Sequence, residues 1–331
     1  MSVSAAARSR VTALSAKSPE LGPWLALYEV VLAELAEPTW SAITPELLAE
    51  RQASGAQGGA LPGGDAVPAE VAPGLTNLRI PLAKGPLKRF WGRLCEVAAR
   101  SAPEGQGAER ALREAAKLDG SELLALLEAA IDHDGSRVAA LAGRIALPAA
   151  MLGSLAQLAV VPLLQACRGA LGSSAGAAGA AGAAGATARR AWSQPYCPVC
   201  GGWPTLAEAR GLARTRHLRC GRCGADWGAP VLACSLCGEG DHEKLVALMP
   251  EQGGEARKVD ACGACKGYLK SLTTLGAWAG EVVLLEDLTT VDLDLVALDR
   301  GYARPDDPGR APGVTLVEAP EPRWSLRRWW P

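Results

Sequence analysis

Four Cys-x-x-Cys pairs crowd the C-terminal half of this chain and constrain its fold more than any other feature. They are Cys197/Cys200, Cys220/Cys223, Cys234/Cys237 and Cys262/Cys265. A Cys-x-x-Cys turn directs both thiolates toward one cation, and two such turns complete a tetrahedral site. The eight cysteines therefore predict two metal centres with four sulfur ligands each.

The gaps between the pairs bear on which pairs share a metal. They are 19, 10 and 24 residues long. Sequential pairing puts the first two pairs in one centre and the last two in another, whereas a cross-brace joins the first pair to the third. We favour sequential pairing, because the short middle gap suits a connection between modules and because closing short loops costs little entropy.

The ligand set leaves the metal open, since four thiolates suit zinc and rubredoxin-type iron alike. Residues 1–15 lack the apolar run of a secretory signal. We therefore expect a cytoplasmic, reducing location, where paired cysteines are metal ligands rather than disulfides. Large apolar residues are sparse from Tyr196 to Lys270, so the metals should supply much of the folding free energy there. Chelation is predicted to unfold this region while residues 1–171 stay helical.

The remainder of the chain divides by composition. Apolar residues recur at helical spacing through residues 1–171, which predicts an α-helical N-terminal domain. A Gly/Ala-rich run at 172–190 predicts a linker. Residues 191–230 and 231–280 carry one cysteine module each, and residues 281–331 are assigned to a C-terminal helix and tail. The sequence thus predicts a multi-domain α+β protein.

Composition disfavours both a membrane and a nucleic acid as partners. The stretch from Leu147 to Cys167 is uncharged and long enough to span a bilayer. Its many alanines and its prolines, Pro148 and Pro162, favour a buried helix instead, so we expect no stable membrane insertion. A balance of 34 Lys+Arg against 35 Asp+Glu gives a net charge of -1, which argues against a nucleic-acid partner.

Further motifs surround the cysteines. They are Tyr196–Pro204, Leu218–Cys223 with Trp227, Cys234–Gly238, Asp260–Lys270, and Asp287–Leu295 followed by Gly301-Tyr302. In this order, they resemble the motifs of the FdhE family of formate dehydrogenase accessory proteins. The resemblance covers residues 190–305, whereas the helical half is similar only in its class.

The resemblance implies a cytoplasmic assembly factor without catalytic activity. Its expected fold is an all-α N-terminal domain followed by two small rubredoxin-like or zinc-ribbon modules and a C-terminal helical segment. Iron is the metal that it implies for the two sites, with zinc as the alternative. The implied partner is the catalytic (large) subunit of a formate dehydrogenase, and a homodimer through the helical half stays open.

Four residues near the cysteines are candidates for contact with that partner. Arg219 and Arg222 belong to a stretch, residues 189–227, with seven basic residues against two acidic ones. This stretch predicts a basic face for an acidic partner surface or, alternatively, a solvated face. Tyr268 and Lys270 follow the last cysteine pair, where Tyr268 is expected to pack on the metal site and Lys270 to screen its negative charge.

Two other functions stay open at this point. The arginine-rich stretch suits a zinc-ribbon nucleic-acid-binding protein, although the overall charge does not. A rubredoxin-like electron carrier fits the metal sites, but it needs no large helical domain. An enzyme is not expected, because four thiolates leave no open coordination position and no nucleophile–base set or phosphate loop is evident.

Overall fold

The computed structural model describes residues 5–41, 43, 72–102, 107–171, 192–250, 256–306 and 309–319. The predicted linker at 172–190 and the end of the predicted tail, residues 320–331, lie outside these ranges. The described helices are α1 (Ala5–Lys17), α2 (Gly22–Glu34), α3 (Pro38–Ser41), α4 (Lys84–Arg100), α5 (Ala108–Ala115), α6 (Gly120–Ile131), α7 (Gly135–Arg144), α8 (Ala149–Ala170), α9 (Gly280–Thr289) and α10 (Val291–Asp299). The described strands are β1 (Arg79–Leu82), β2 (Leu206–Arg210), β3 (Thr215–Arg219), β4 (Asp226–Gly228), β5 (Leu245–Leu248), β6 (Arg257–Cys262), β7 (Tyr268–Thr274) and β8 (Thr315–Glu318).

Helix α8 lies at the centre of the helical half. It packs against α2, α3, α4, α6 and α7. Among the described residues, α8 is the one helix that is long and apolar enough to cross a membrane, and 61% of its apolar window is buried inside the protein. Burial among five helices accounts for the uncharged sequence, as expected for a core helix.

Local sequence explains how the neighbouring helices form. In α4, Leu87, Phe90, Trp91 and Leu94 recur at helical spacing and are all buried. The Trp91 Nε1–H group donates a hydrogen bond to the Ala115 carbonyl at 2.7 Å, which ties α4 to the end of α5. Each such large apolar side chain contributes about 2 kcal/mol on burial.

Helix α6 begins at a capping box. The Asp119 side chain accepts hydrogen bonds from the Ser121 and Glu122 amides, and the Glu122 side chain accepts one from the Asp119 amide. Ser121 lies inside the first turn, and its hydroxyl accepts a hydrogen bond from Lys84 Nζ at 3.2 Å. Asp119 is a favourable N-cap because its carboxylate also interacts with the positive end of the helix dipole.

The two cysteine modules share a single six-stranded sheet with the order β4-β3-β2-β7-β6-β5. Each module contributes three neighbouring strands, and within each the pairing is antiparallel. The modules meet at the centre of the sheet, where β2 pairs in parallel with β7 and Leu206 lies opposite Lys270. This pairing buries an edge strand of each module, so the modules are continuous rather than two separate units.

The segment after residue 280 contacts both halves of the protein. Helix α1 packs on α9 through an apolar cluster that includes Val11, Leu14 and Leu285, and Arg10 forms an ion pair with Glu286 at 2.6 Å. Strand β8 pairs in parallel with β1 of the helical half. The domain boundaries drawn from composition, including a C-terminal helix and tail at 281–331, stay a prediction.

Candidate metal centres

The first cluster of cysteines joins the loop before β2 to the loop before β4. The Sγ atoms of Cys197 and Cys223 are 3.4 Å apart, and those of Cys200 and Cys220 are 3.6 Å apart. All four sulfur atoms lie within 4.8 Å of one another, and all four side chains are buried. The hairpin of β2 and β3 returns the second pair to the first, as the spacing of the pairs predicts.

The second cluster repeats this arrangement around β5 and β6. The Sγ distances are 3.8 Å from Cys234 to Cys265 and 3.8 Å from Cys237 to Cys262, and all four sulfur atoms again lie within 4.8 Å of one another. This cluster is partly open, because Cys237 and Cys265 are exposed. The structure thus brings the pairs together sequentially rather than in a cross-brace.

Both clusters fit a bound cation. None of the eight cysteines forms a disulfide. A tetrahedral centre with metal–sulfur bonds of about 2.3 Å places its sulfur atoms about 3.8 Å apart, close to the distances found here. The amides of Val199, Leu236 and Gly267 point at Sγ atoms at 3.4 Å, which stabilises thiolate charge. Two clusters of four cysteines that could hold metal ions are therefore present.

The turns at the cysteine pairs depend on backbone with positive φ. Gly201, Gly224 and Gly238 follow the second cysteine of their pairs and have φ of 73°, 72° and 78°. Glycine adopts this conformation at little cost. The fourth turn has Lys266 at the same position, with φ of 58°, where a side chain is less favourable.

Residues from distant parts of the chain enclose the first cluster. The amides of Gly74 and Leu75 donate to the Pro198 and Val199 carbonyls at 2.8 Å and 3.0 Å. The Arg310 amide donates to the Gly201 carbonyl at 2.8 Å. The first cluster is therefore part of the junction between the two halves.

Arg222 adds a polar connection to that junction. Its guanidinium donates to the Ala130 carbonyl at 2.9 Å and to the Ile131 carbonyl at 3.3 Å, at the end of α6. It also donates to His133 Nε2 at 2.8 Å. A cation at the C-terminus of a helix is favourable because it meets the negative end of the dipole. His133 is a neutral acceptor, since burial and then the Arg222 charge lower its pKa from 6.5 to about 4.

The thiols of the first cluster interact strongly. Hydrogen bonds from Cys197 and then from the other cluster thiols, with the charge of Arg222, hold the pKa of Cys200 well below its ordinary value. Burial raises the pKa of Cys197 and of Cys223 well above the ordinary value. Burial thus disfavours the thiolate forms of Cys197 and Cys223, and a divalent cation bound among the four sulfur atoms would favour them.

The four predicted partner-contact residues all make contacts within the fold. Arg219 is 2% exposed, pairs with Glu208 and donates to the Trp278 carbonyl at 2.7 Å. Arg222 contacts α6, as described above. Burial of the sheet junction is the physical reason, because a charge removed from water must find partners inside the protein.

Tyr268 and Lys270 likewise make polar contacts with the helices α9 and α10. The Tyr268 hydroxyl donates to Asp294 at 2.8 Å. Lys270 is fully buried and pairs with Asp287 at 2.7 Å and with Asp294 at 2.6 Å. Although burial acts in the opposite direction, Arg304 and Lys270 hold the pKa of Asp287 below its ordinary value. The sequence analysis missed this network, and the Asp287–Leu295 motif was its only sequence signal.

Comparison with known proteins finds relatives in sequence and in fold. No family model matches the chain. A "Protein FdhE homolog" of Stutzerimonas stutzeri is 37% identical over 131 residues, which are 39% of this chain and 40% of that protein. A homolog of Edwardsiella ictaluri is 34% identical over 33% of this chain and 35% of its own length. "Protein FdhE" of Salmonella choleraesuis is 32% identical over 34% of this chain and 36% of its own length.

A solved structure extends the similarity to the fold. The crystal structure of the FdhE protein from Pseudomonas aeruginosa superposes with a TM-score of 0.52 at 21% identity, over 93% of this chain and 95% of that one. The sequence relatives, by contrast, align over only about two fifths of their length or less. Sequence similarity to these relatives over about a third or more of the chain supports assignment to the FdhE family, and the chain shares its fold with the P. aeruginosa protein.

Proposed function

We propose that this protein is an accessory factor, without catalytic activity of its own, that assists the assembly of a formate dehydrogenase in the cytoplasm. It contacts the catalytic subunit through its C-terminal region. Two iron ions stabilise this region. Similarity to FdhE proteins supports the accessory role, and the two clusters of four cysteines support the metal content. Iron, when bound, supplies one-electron chemistry, while the protein's own residues hold the sheet in shape.

The distribution of exposed apolar side chains supports the proposal that the C-terminal region contacts the catalytic subunit. Among the described residues, every exposed large hydrophobic side chain except Trp24 belongs to the C-terminal half. These are Leu212, Val231, Leu232, Met249, Leu275, Val291, Leu295, Val296 and Leu298. Apolar groups concentrated on one part of a surface are typical of protein–protein contact, so this half is the docking region.

Two of these residues form a compact part of that surface. Leu212 and Leu275 are 102% and 94% exposed. They follow the ends of β2 and β7, which the Gly211 amide joins by donating to the Thr274 carbonyl at 2.9 Å. The pair therefore lies where the two metal modules meet, and it depends on both modules being folded.

The arginines near the first cluster favour this function over nucleic-acid binding. Arg210 pairs with Glu208 and Asp226, and Arg216 pairs with Asp260 at 2.9 Å. Arg219 and Arg222 are bound within the fold, as described above. Guanidinium groups that neutralise internal carboxylates are not available to phosphates.

Co-purification under anaerobic conditions tests the proposal. The tagged full chain should retain the catalytic subunit of a formate dehydrogenase, and the double variant Leu212→Asp/Leu275→Asp should retain much less. Trp24→Asp, a matched change of an exposed apolar residue in the helical half, should retain as much as the wild type. Absence of the subunit from the wild-type sample, or equal retention by the double variant, contradicts the docking region proposed here.

The metal is tested on the same anaerobic preparation. Iron in thiolate sites gives a red protein with strong visible absorption, and elemental analysis should find iron rather than zinc. A colourless protein with zinc at full occupancy contradicts iron, although it leaves the stabilising role of the two centres in place.

A further inference from the structure

The two candidate centres have the same ligands but different surroundings. Each is built from two Cys-x-x-Cys turns around a β-hairpin, with four sulfur atoms at matching distances. All four cysteines of the first centre are buried at 0% exposure. In the second centre, only Cys262 is buried, Cys234 is intermediate, and Cys237 and Cys265 are exposed.

Opening the first centre requires separation of distant parts of the chain. Residues 74, 75 and 310 hold its first turn by backbone hydrogen bonds. Gly201 is so close to residue 310 that a Cβ atom there would lie 1.8 Å from the Arg310 carbonyl oxygen. The second turn packs on the start of α9, where a Cβ atom on Gly224 would lie 3.1 Å from the Gly280 Cα atom. Exchange of a metal ion at this centre therefore requires a large opening of the fold.

The second centre has no comparable cover among the described residues. It lies at the outer end of the sheet, beside the edge strand β5. A Cβ atom on Gly238 would meet nothing within 4 Å. Backbone of β5 holds its last turn, where the Gly263 amide donates to the Lys244 carbonyl at 2.7 Å, and residues after α10 reach that turn at one point, where the Ala303 amide donates to the Lys266 carbonyl at 2.9 Å. These contacts leave Cys237 and Cys265 exposed. An incoming ligand can therefore reach the Cys237 and Cys265 sulfur atoms without separation of the two halves.

We propose that the second centre, formed by Cys234, Cys237, Cys262 and Cys265, is an exchange site that takes up and releases a soft divalent cation while the first centre keeps its own. This inference rests on the metal content stated under the proposed function. Exchange proceeds by substitution: each metal–sulfur bond that breaks is replaced by a bond to the incoming ligand. The freed thiolate takes a proton from water, so the step needs no oxidant or reductant.

Metal release from the full-length, doubly loaded protein tests this proposal. The zinc form, prepared under reducing conditions, is mixed with excess of the chromogenic chelator 4-(2-pyridylazo)resorcinol, and released zinc is followed by absorbance. One equivalent per chain should leave at least about tenfold faster than the other, because release from the first centre first requires the larger opening.

Alkylation assigns the fast phase to a centre. Iodoacetamide added after the first equivalent has left should modify the four cysteines of the second centre and leave those of the first centre unmodified. Cys95 and Cys167, which are buried outside both clusters, serve as internal controls for an intact fold. Peptide mass spectrometry reads all ten positions.

The outcomes separate this inference from the proposed function. Two equivalents released at one rate, or a fast phase that exposes Cys197 and Cys200, overturn the inference and leave the proposed function intact. Fewer than two bound ions per chain overturn the metal content itself and the exchange site with it.

Discussion

At the scale of single residues, two glycines with the same backbone conformation have different surroundings. Gly201 and Gly238 both have positive φ at the end of a cysteine turn. A Cβ atom on Gly201 would collide with the Arg310 carbonyl oxygen, whereas one on Gly238 would meet open space. A side chain at either position meets the same conformational strain. Any additional loss of stability on substitution of Gly201 therefore measures its close approach to the Arg310 carbonyl.

Alanine at these two positions should therefore act unequally. Gly238→Ala should lower the free energy of unfolding by about 1 kcal/mol, the cost of positive φ for a side chain. Gly201→Ala should lower it by at least about 3 kcal/mol, since the backbone around Arg310 has to move as well. Chemical denaturation of both variants measures the difference, and equal losses would show that the first turn is not closely covered.

Lys270 is a second residue whose role depends on burial. Its ammonium group is fully buried between Asp287 and Asp294. Lys270→Ala should lower the free energy of unfolding by about 3 kcal/mol, because the half-buried carboxylates of Asp287 and Asp294 lose their buried cation and keep only Arg304 as a charged partner. Lys117→Ala, which removes an exposed pair with Glu114, should lower the free energy of unfolding far less, because water screens exposed ion pairs. Similar losses in both variants contradict the network.

His133 makes the stability of the folded protein depend on pH. The unfolded chain protonates this residue near pH 6.5, whereas the folded protein resists protonation down to about pH 4. The unfolded state therefore binds more protons in this range, and stability falls as the pH falls. Between pH 7 and pH 5 the loss should be about 2 kcal/mol.

His133→Asn isolates this contribution. Asparagine tolerates the positive φ of 54° at this position but does not titrate. The variant should lose about 2 kcal/mol less than the wild type between pH 7 and pH 5 when both are unfolded by urea. Protonation of metal ligands affects both proteins alike. Parallel stability curves would show that His133 is not a neutral acceptor in the folded protein.

At the scale of elements, the sequence predicts local structure well and distant pairing poorly. The spacing of the cysteine pairs predicts the two clusters, and the periodicity of Leu87, Phe90, Trp91 and Leu94 predicts α4. The sequence does not predict that β2 pairs with β7, since no local pattern encodes the pairing of residues 206 and 270. For the same reason, Arg219 and Lys270 look like surface charges in the sequence although the joined sheet buries them.

Arg222 tests the connection between the first cysteine module and helix α6. Arg222→Ala removes the hydrogen bonds to Ala130, Ile131 and His133 and should lower the free energy of unfolding by about 2–3 kcal/mol. Arg257→Ala removes a more exposed ion pair with Asp292 and should cost less than about 1 kcal/mol. Thermal unfolding compares the two, and a loss at Arg222 no larger than at Arg257 contradicts the connection.

At the scale of the whole molecule, the two halves share one core. Cys197, Val199 and Cys200 belong to the same apolar cluster as the side chains of α4, α6 and α8. Helix α1 packs on α9, and β8 pairs with β1. The sequence predicts that chelation unfolds the cysteine-rich region while residues 1–171 stay helical. These contacts lead us to expect that removal of the first ion also loosens the helical half.

Hydrogen exchange on the metal-free chain tests this coupling. Amides in α6 and α8 should exchange faster than in the loaded protein, because their packing against the first cluster is lost. Amides of the helical half away from the junction, such as those of α5, which packs on α4, provide the internal reference. Unchanged exchange throughout α6 and α8 would mean that the halves fold independently.

The central claim is that eight cysteines hold two metal ions, and metal content on single-ligand variants tests it most directly. Protein purified anaerobically and analysed by elemental mass spectrometry should contain two ions per chain. Cys262→Ala should contain one, because the first centre is untouched, and Cys95→Ala should keep both. A wild-type protein without bound metal, or a Cys262→Ala variant that still holds two ions, would contradict the account.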